Sequence, residues 1–467
     1  MQLVKPVPQN RLSLISAFAY PDFIAVTTTL TRAKHVGAPI FCRFFDENRI
    51  ELPRTRFKSV IFPIAAVRCP KIAGGAKFVS LSLTPEASAD SPEELGLTPI
   101  PLISREFPQI PHELGVCSGQ FYGREPKWME VIEHVEHHRM LGATQFYFTI
   151  LEASEYDRRI FTYYNGLGLS ETTDVLLEFD PSARFHEIQM NECYYRSRHH
   201  SKWVLNIDQD ERFVFNNKNI SVLKFLRTLG PSFGEITVPV SRTVKYQSNP
   251  QTYVNPEQML RELHFLRYRN RTNFSWNTQK GFFDPLKVHA LFFHFAFLRD
   301  PECRVYFFSR HIAHIRHYRI ADEKWLKNST ILEREELDGE YVAEMRRRVL
   351  AVIRNVYTHR VTQKQDIDKD RSALKTYIHP NFVFQDCIVN ITRDEFMIQL
   401  IANPADSMKM RLKYTDYQVA YIRHHSFVTE FDVAQNEVVD SSTYAALRQI
   451  GDKFSIIFGK TNGCQKS

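Results

Sequence analysis

The chain of 467 residues contains no C-x-x-C pair, and its seven cysteines (Cys42, Cys69, Cys117, Cys193, Cys303, Cys387, Cys464) lie far apart. That spacing excludes a zinc-ribbon or thioredoxin-type motif and leaves disulfides permitted but unassigned. No window approaches ~18 uninterrupted apolar residues, so no membrane-spanning helix is expected. The N-terminus offers only the short run "LSLISAFAY", without a small-residue cleavage site, so neither a signal peptide nor an anchor is visible. Charge of one sign is not gathered anywhere: the net +7 is spread along the chain. A nucleic-acid partner is therefore not expected. Internal repeats are absent as well.

What is present is a folded-protein composition. An apolar content of 43% supplies a packed core, and the length suits a large domain with a smaller one. Five N-x-S/T sequons, at Asn219, Asn270, Asn273, Asn328 and Asn390, would accept glycans in the secretory pathway.

The pattern divides the chain. Short apolar runs such as "FIAVTTTL", "APIFCRFF" and "SVIFPIAAV" predict a β-rich lead-in, and "TPEASADSPEELGLTPIPLISREFPQIP" a proline-rich linker or long loop, together residues 1–112. From residue 113 to 358 strands alternate with helices of about a dozen residues, the signature of an α/β sheet flanked by helices. "KNISVLKFLRTLG" reads as a helix, "GEITVPVSRTVKY" as a strand pair, and the charged segment from Glu323 to Tyr357 as a closing helix. Residues 359–376 are polar enough for an exposed linker. Residues 377–467 restart an apolar pattern and would form a small α+β domain.

Within the α/β region, "SKWVLNIDQDERFVF" ends a buried strand on Asp208-Gln209-Asp210-Glu211. Three acids in four positions repel one another and gain nothing for folding, so a positive partner is expected there. Ligands of such sheets bind outside the carboxyl ends of the strands. Hard oxygen donors two residues apart can share Mg²⁺ or Mn²⁺ and leave positions open for a diphosphate. Helix capping by the same acids is the structural alternative. By contrast, Asp366, Asp368 and Asp370 repeat the spacing in the charged linker and are read as solvated charge.

Four ordered segments carry a resemblance: "GVCSGQFYGREPKWMEVIEHVEHHRMLGATQFYF", "IQMNECYYRSRHHSKWVLNIDQDERF", "QKGFFDPLKVHALFFH" and the "HYR" of His317-Tyr318-Arg319. Together, over roughly Gly115 to Ile320, they resemble glycosyltransferase family 92. The resemblance implies a GT-A type (nucleotide-sugar-binding) mixed sheet and a metal-dependent, inverting transfer of a hexose, galactose first, from a UDP-sugar to a glycan hydroxyl on a glycoprotein in the Golgi. It implies Asp208, Asp210 and His294 on the metal, with Tyr122, Arg124, Lys280 and Asp208 toward the sugar nucleotide. Trp276 is a further aromatic candidate for stacking. The base is not singled out: Asp210, Glu211, Glu235, Glu262 and Asp284 all qualify by type. The alternative is a catalytically inactive glycan- or nucleotide-binding relative acting through its C-terminal domain.

His134, His137 and His138 fit neither H-E-x-x-H nor H-x-x-E-H and are expected on a helix surface. His311, His314 and His317 recur every three residues, as on a half-exposed strand or helix. The C-terminal segment resembles NTF2-like domains through "HPNFVFQDCIVNITRDEFMIQLI", which implies an accessory or homo-oligomerising module.

Overall fold

The computed structural model describes residues 14–29, 39–62, 65–72, 75–82, 98–123, 125–175, 183–216, 220–320, 331–334 and 337–358, and further on 381–384, 387–390, 410–413 and 438–439. Two compact units divide after Thr358.

The first unit opens with seven strands: β1 (Leu14–Ala19), β2 (Phe23–Thr28), β3 (Pro39–Phe45), β4 (Phe57–Val60), β5 (Ala66–Pro70), β6 (Phe78–Ser82) and β7 (Ile100–Ser104). Their order is β4-β3-β6-β7-β1-β2-β5, and a bridge from Ile61 to Val67 brings the two ends together, so the sheet curls back on itself. Its interior is apolar, with Cys42 and Cys69 joined in a disulfide between β3 and β5. The proline-rich stretch is not wholly a loop: "IPLIS" pairs with both β1 and β6, because its apolar residues complete this sheet.

The α/β part follows in strict alternation: β8 (His112–Phe121), α1 (Trp128–Met140), β9 (Gln145–Ile150), α2 (Glu155–Gly166), β10 (Ser170–Asp174), α3 (Ala183–Ser197) and β11 (Ser201–Asn206). These four strands are parallel, in the order β10-β9-β8-β11. Ser154 and Asp157 close a capping box on α2. Asp157 Oδ1 also accepts from the backbone N–H of Lys127 (2.8 Å) and Trp128 (2.7 Å), so one carboxylate satisfies orphan donors at the start of two helices.

The sheet then continues in mixed sense. Its elements are β12 (Glu211–Phe215), α4 (Val222–Thr228), β13 (Phe233–Lys245), α5 (Pro256–Glu262), α6 (His264–Arg267), β14 (Asn270–Phe283), β15 (Val288–Phe292), β16 (Phe295–Arg299), β17 (Arg304–Phe307), β18 (Ala313–Ile320), β19 (Ile331–Arg334) and α7 (Gly339–Ile353). From β11 the order runs β14-β13-β18-β12, so β12, which follows β11 in sequence, lies four places from it. The segment expected as a strand pair is the single strand β13, bent by bulges near Val238–Val240 and Ser241–Thr243. Within the expected closing helix, the described residues form the strand β19 and then α7, which a π-helical turn over Arg354–Thr358 continues. The mixed α/β sheet with flanking helices is the GT-A type architecture expected from the sequence.

Buried polar contacts fasten the N-terminal sheet to the α/β part. Ser16 Oγ donates to Glu192 Oε1 (2.9 Å), Arg105 Nε donates to the carbonyl of Arg196 (2.7 Å), and Arg105 also pairs with Glu171. Among the described residues no helix is long and apolar enough to cross a membrane.

In the second unit the described residues form four short strands, β20 (Asn381–Phe384), β21 (Cys387–Asn390), β22 (Met410–Lys413) and β23 (Val438–Val439), antiparallel in the order β21-β20-β22-β23. The linker reading of residues 359–376 and most of the NTF2-like segment fall outside the described residues.

Candidate active site

Asp208 to Glu211 form a tight turn between β11 and β12, at the edge where the parallel strands end. The Glu211 N–H donates to the Asp208 carbonyl (3.1 Å), and the Asp208 N–H donates to Glu211 Oε2 (3.0 Å). Glu211 is buried, so its carboxylate braces the turn from within.

The positive partners are the protein's own. Lys280, on β14, places Nζ 2.7 Å from Asp208 Oδ2 and 3.5 Å from Glu211 Oε2. His317, on β18, reaches Asp210 Oδ2 with Nε2 (3.2 Å) and Glu211 Oε1 with Nδ1 (3.3 Å). His186, on α3, stands 3.7 Å from Asp208 Oδ1. Register explains the meeting: Gly281 is opposite Asn206, and His317 is opposite Glu211.

The electrostatics follow. Burial pushes the Asp208 carboxyl up, but Lys280, His186 and His317 hold it well below the usual carboxylate range. Burial raises Glu211 against the pull of Lys280. Burial pulls His317 down, yet Asp210 and Glu211 overcome it and lift the imidazole to about 9. Lys280 is lifted despite its burial by Asp208 and Glu211. Burial lowers His186 to about 4 and also lowers His294, leaving both rings neutral.

The donor chemistry suits a hard divalent ion: two carboxylates beside neutral imidazoles. His294 Nδ1 lies 3.1 Å from the Gln279 carbonyl, which can only accept, so the proton is on Nδ1 and Nε2 keeps a free lone pair. This half-buried ring feels the charges of Lys280 and Asp208. Among the described residues, however, no three His, Cys, Asp or Glu side chains already stand as a ligand cluster. Asp208 and Asp210 are instead held apart on Lys280 and His317.

The other candidates scatter. Asp284 follows directly on the C-terminal end of β14, where it accepts from the Leu286 N–H (2.9 Å) and pairs with Lys287 (3.0 Å), a turn-holding role. Glu235 pairs with Arg299 (2.7 Å) and accepts from the Ala296 N–H (3.2 Å), anchoring β16. Glu262 pairs with Arg267. Tyr122 follows β8 at the acidic edge and is exposed, Arg124 lies outside the described residues, and Trp276 belongs to β14.

The histidines of α1 depart from expectation: His134, His137 and His138 are buried. His137 Nε2 donates to the Phe213 carbonyl (2.7 Å), leaving Nδ1 to accept from Tyr341 Oη (2.9 Å), while His134 Nε2 meets Ser118 Oγ (2.6 Å). They hold β12, and with it the acidic turn, against the helix. His314 is also buried, on β18 against Phe274. Arg212 turns away from the acids, its guanidinium over the rings of Phe265 and Tyr341. Behind Asp210 a small cavity is lined by Glu130, Glu133, His264 and Tyr318 among others. Lys245 Nζ sits 2.6 Å from Glu130 there. Neither of these acids carried a motif in the sequence.

The sheet thus sets an acidic turn at the carboxyl edge of its parallel strands, where ligands of α/β sheets bind. The family model "Glycosyltransferase family 92" matches residues 112–353. The chain belongs to glycosyltransferase family 92. No curated protein matches it. Among solved structures it is similar to S. aureus TarS 1-349, at 10% identity and a TM-score of 0.27, over 56% of this chain and 79% of that one. It is also similar to a glycosyltransferase involved in the glycosylation of the major capsid of PBCV-1, at 15% identity and a TM-score of 0.15, over 29% of this chain and 56% of the other.

Proposed function

We propose that this glycosyltransferase is a metal-dependent, inverting hexosyltransferase that moves a sugar, galactose in the first instance, from a UDP-sugar to a glycan hydroxyl. The observation that carries the reading is the acidic turn, built at the carboxyl edge of the parallel strands and held by the buried Lys280 ammonium and the protonated His317, with the neutral rings of His186 and His294 beside it. Asp208 and Asp210, with Nε2 of His294, are the side chains that would hold Mn²⁺ or Mg²⁺, which supplies charge neutralisation for the diphosphate. Glu211 and the α1 histidines keep the turn rigid, so the two aspartates stay directed at the edge without reorganisation. The bond between sugar C1 and the diphosphate oxygen breaks, and its electron pair leaves with UDP. A C1–O bond to the acceptor forms on the opposite face, and the acceptor proton passes to a carboxylate.

A panel of UDP-sugars with Mn²⁺, with and without EDTA, tests this, with the anomeric configuration of the product read by NMR. Transfer that EDTA abolishes, with inversion, is expected. Binding of a UDP-sugar without transfer to any glycan would point to the non-catalytic alternative. We also place the chain in the secretory lumen. Its five sequons and the disulfides Cys42–Cys69 and Cys117–Cys193 support an oxidising compartment. A native protein whose mass is unchanged by glycosidase treatment would count against that placement.

A further inference from the structure

The hairpin β15–β16 exposes large aromatic rings where a soluble surface would place polar ones. Phe295 is 43% and Phe297 53% exposed, while Ala296 between them is buried. The alternation is regular, so the inward face of β16 is filled and the outward rings are not displaced core residues. The hairpin is also firmly held. Asn191 on α3 bonds both the N–H (3.0 Å) and the carbonyl (2.9 Å) of Leu291, Tyr194 Oη donates to the Val288 carbonyl (2.6 Å), and Glu235 grips Ala296 and Arg299. An apolar patch displayed on a rigid support marks an interaction site.

Its place identifies the occupant. Ring contacts run without a break from the acidic turn to the patch. His186, beside Asp208, packs on Phe293 (5.2 Å), Phe293 on Phe292 (4.6 Å), and Phe292 across the strands on Phe295 (5.4 Å). From Phe295 to Phe297 is a further two residues of strand, roughly 7 Å. A ligand extending from Asp208 along this path reaches the exposed rings of Phe295 and Phe297. Pyranose rings suit them, since their C–H faces stack on aromatic rings while their hydroxyls remain toward water.

We propose that the outward face of β16, through Phe295 and Phe297, is the acceptor subsite, stacking on sugar rings that lie behind the reacting hydroxyl. This rests on the transferase reading above and adds which surface selects the acceptor. Remote stacking of this kind contributes to acceptor binding before and during transfer alike, so its loss raises KM more than it lowers kcat.

The test uses the full chain with Phe295→Ala/Phe297→Ala, and Phe295→Tyr/Phe297→Tyr as the variant that keeps the rings. Two measurements are made: UDP affinity in the presence of Mn²⁺, and binding to an array of N-linked and O-linked oligosaccharides. Unchanged UDP affinity with roughly tenfold weaker oligosaccharide binding in the alanine variant, restored by tyrosine, is expected. Equal oligosaccharide binding by wild type and alanine variant, or no oligosaccharide binding by a wild type that binds UDP, overturns the subsite. Failure of the wild type to bind UDP overturns the transferase reading instead.

Discussion

Replacing Lys280 by methionine keeps the shape of the stem and removes the charge that the acidic turn is built around. In the structure the ammonium is 2.7 Å from Asp208 and 3.5 Å from Glu211. At an effective dielectric constant near 20 these separations correspond to gross attractions of roughly 6 and 5 kcal/mol. Most of that offsets the desolvation of a lysine only 3% exposed. What remains visible on truncation is the cost of leaving buried carboxylates unpaired, about 3–5 kcal/mol. Urea unfolding in EDTA, followed through the fluorescence of buried Trp203 on β11, should show this loss as a midpoint lowered by about 1 M or more. Saturating Mn²⁺ should narrow the gap between variant and wild type, because an ion on Asp208 replaces the missing charge. A difference below about 1 kcal/mol in EDTA would refute the claim that Lys280 neutralises the turn. A gap that Mn²⁺ leaves untouched would refute Asp208 as an ion ligand.

Four further outcomes are expected. Asp210→Ala should abolish transfer while circular dichroism stays native, since His317 retains Glu211 as a partner at 3.3 Å; transfer within tenfold of wild type would remove Asp210 from the site. Burial raises Glu133 from 4.5 to about 8, so its contribution to stability is full below pH 4.5 and is lost as pH rises through 8. Glu133→Gln should therefore flatten the loss of stability between pH 5 and 8.5, on the order of a few kcal/mol, and an unchanged slope would mean that Glu133 is ionised in the fold. His134 has the opposite sign: burial lowers it from 6.5 to about 4, so its contribution is present above pH 6.5 and lost as pH falls through 4. Finally, Cys117→Ser/Cys193→Ser opens a link spanning 76 residues, for which chain entropy sets a ceiling of about 4.5 kcal/mol; a urea midpoint equal to wild type would show that packing alone holds α3 to β8.

The strand–helix alternation and the position of Asp208 and Asp210 were legible because both are local. A run of apolar residues ending in acids marks a strand end whatever the rest of the chain does. The counter-cations were not legible as partners, because Lys280 and His317 meet the turn only through the register of β14 and β18. The same register explains Asp284. Only four residues from Lys280 in sequence, it is carried by the antiparallel strand back from the acidic edge, past Phe283, which pairs with Val204 inside β11. The α1 histidines were expected outside because polar residues usually are. They are inside because α1 is packed between β12 and α7, where each imidazole finds a backbone or hydroxyl partner. Segment "IPLIS" was taken with its proline-rich surroundings, and only the unfilled edges of β1 and β6 make it a strand.

The sheet order gives the acidic turn a mechanical duty. Five peptide steps separate Asn206 from Glu211, a reach of about 17 Å, whereas four strand spacings across a flat sheet come to about 19 Å. Strands β14, β13 and β18 must therefore bow for β12 to start where it does, and the turn is the drawstring that holds the bow. Its length is then as constrained as its chemistry. One residue inserted beside Gln209 slackens the curvature and separates His317 from Asp210 without altering a single acid, so homologous chains of this architecture should vary what lies between the carboxylates far more readily than how many residues do.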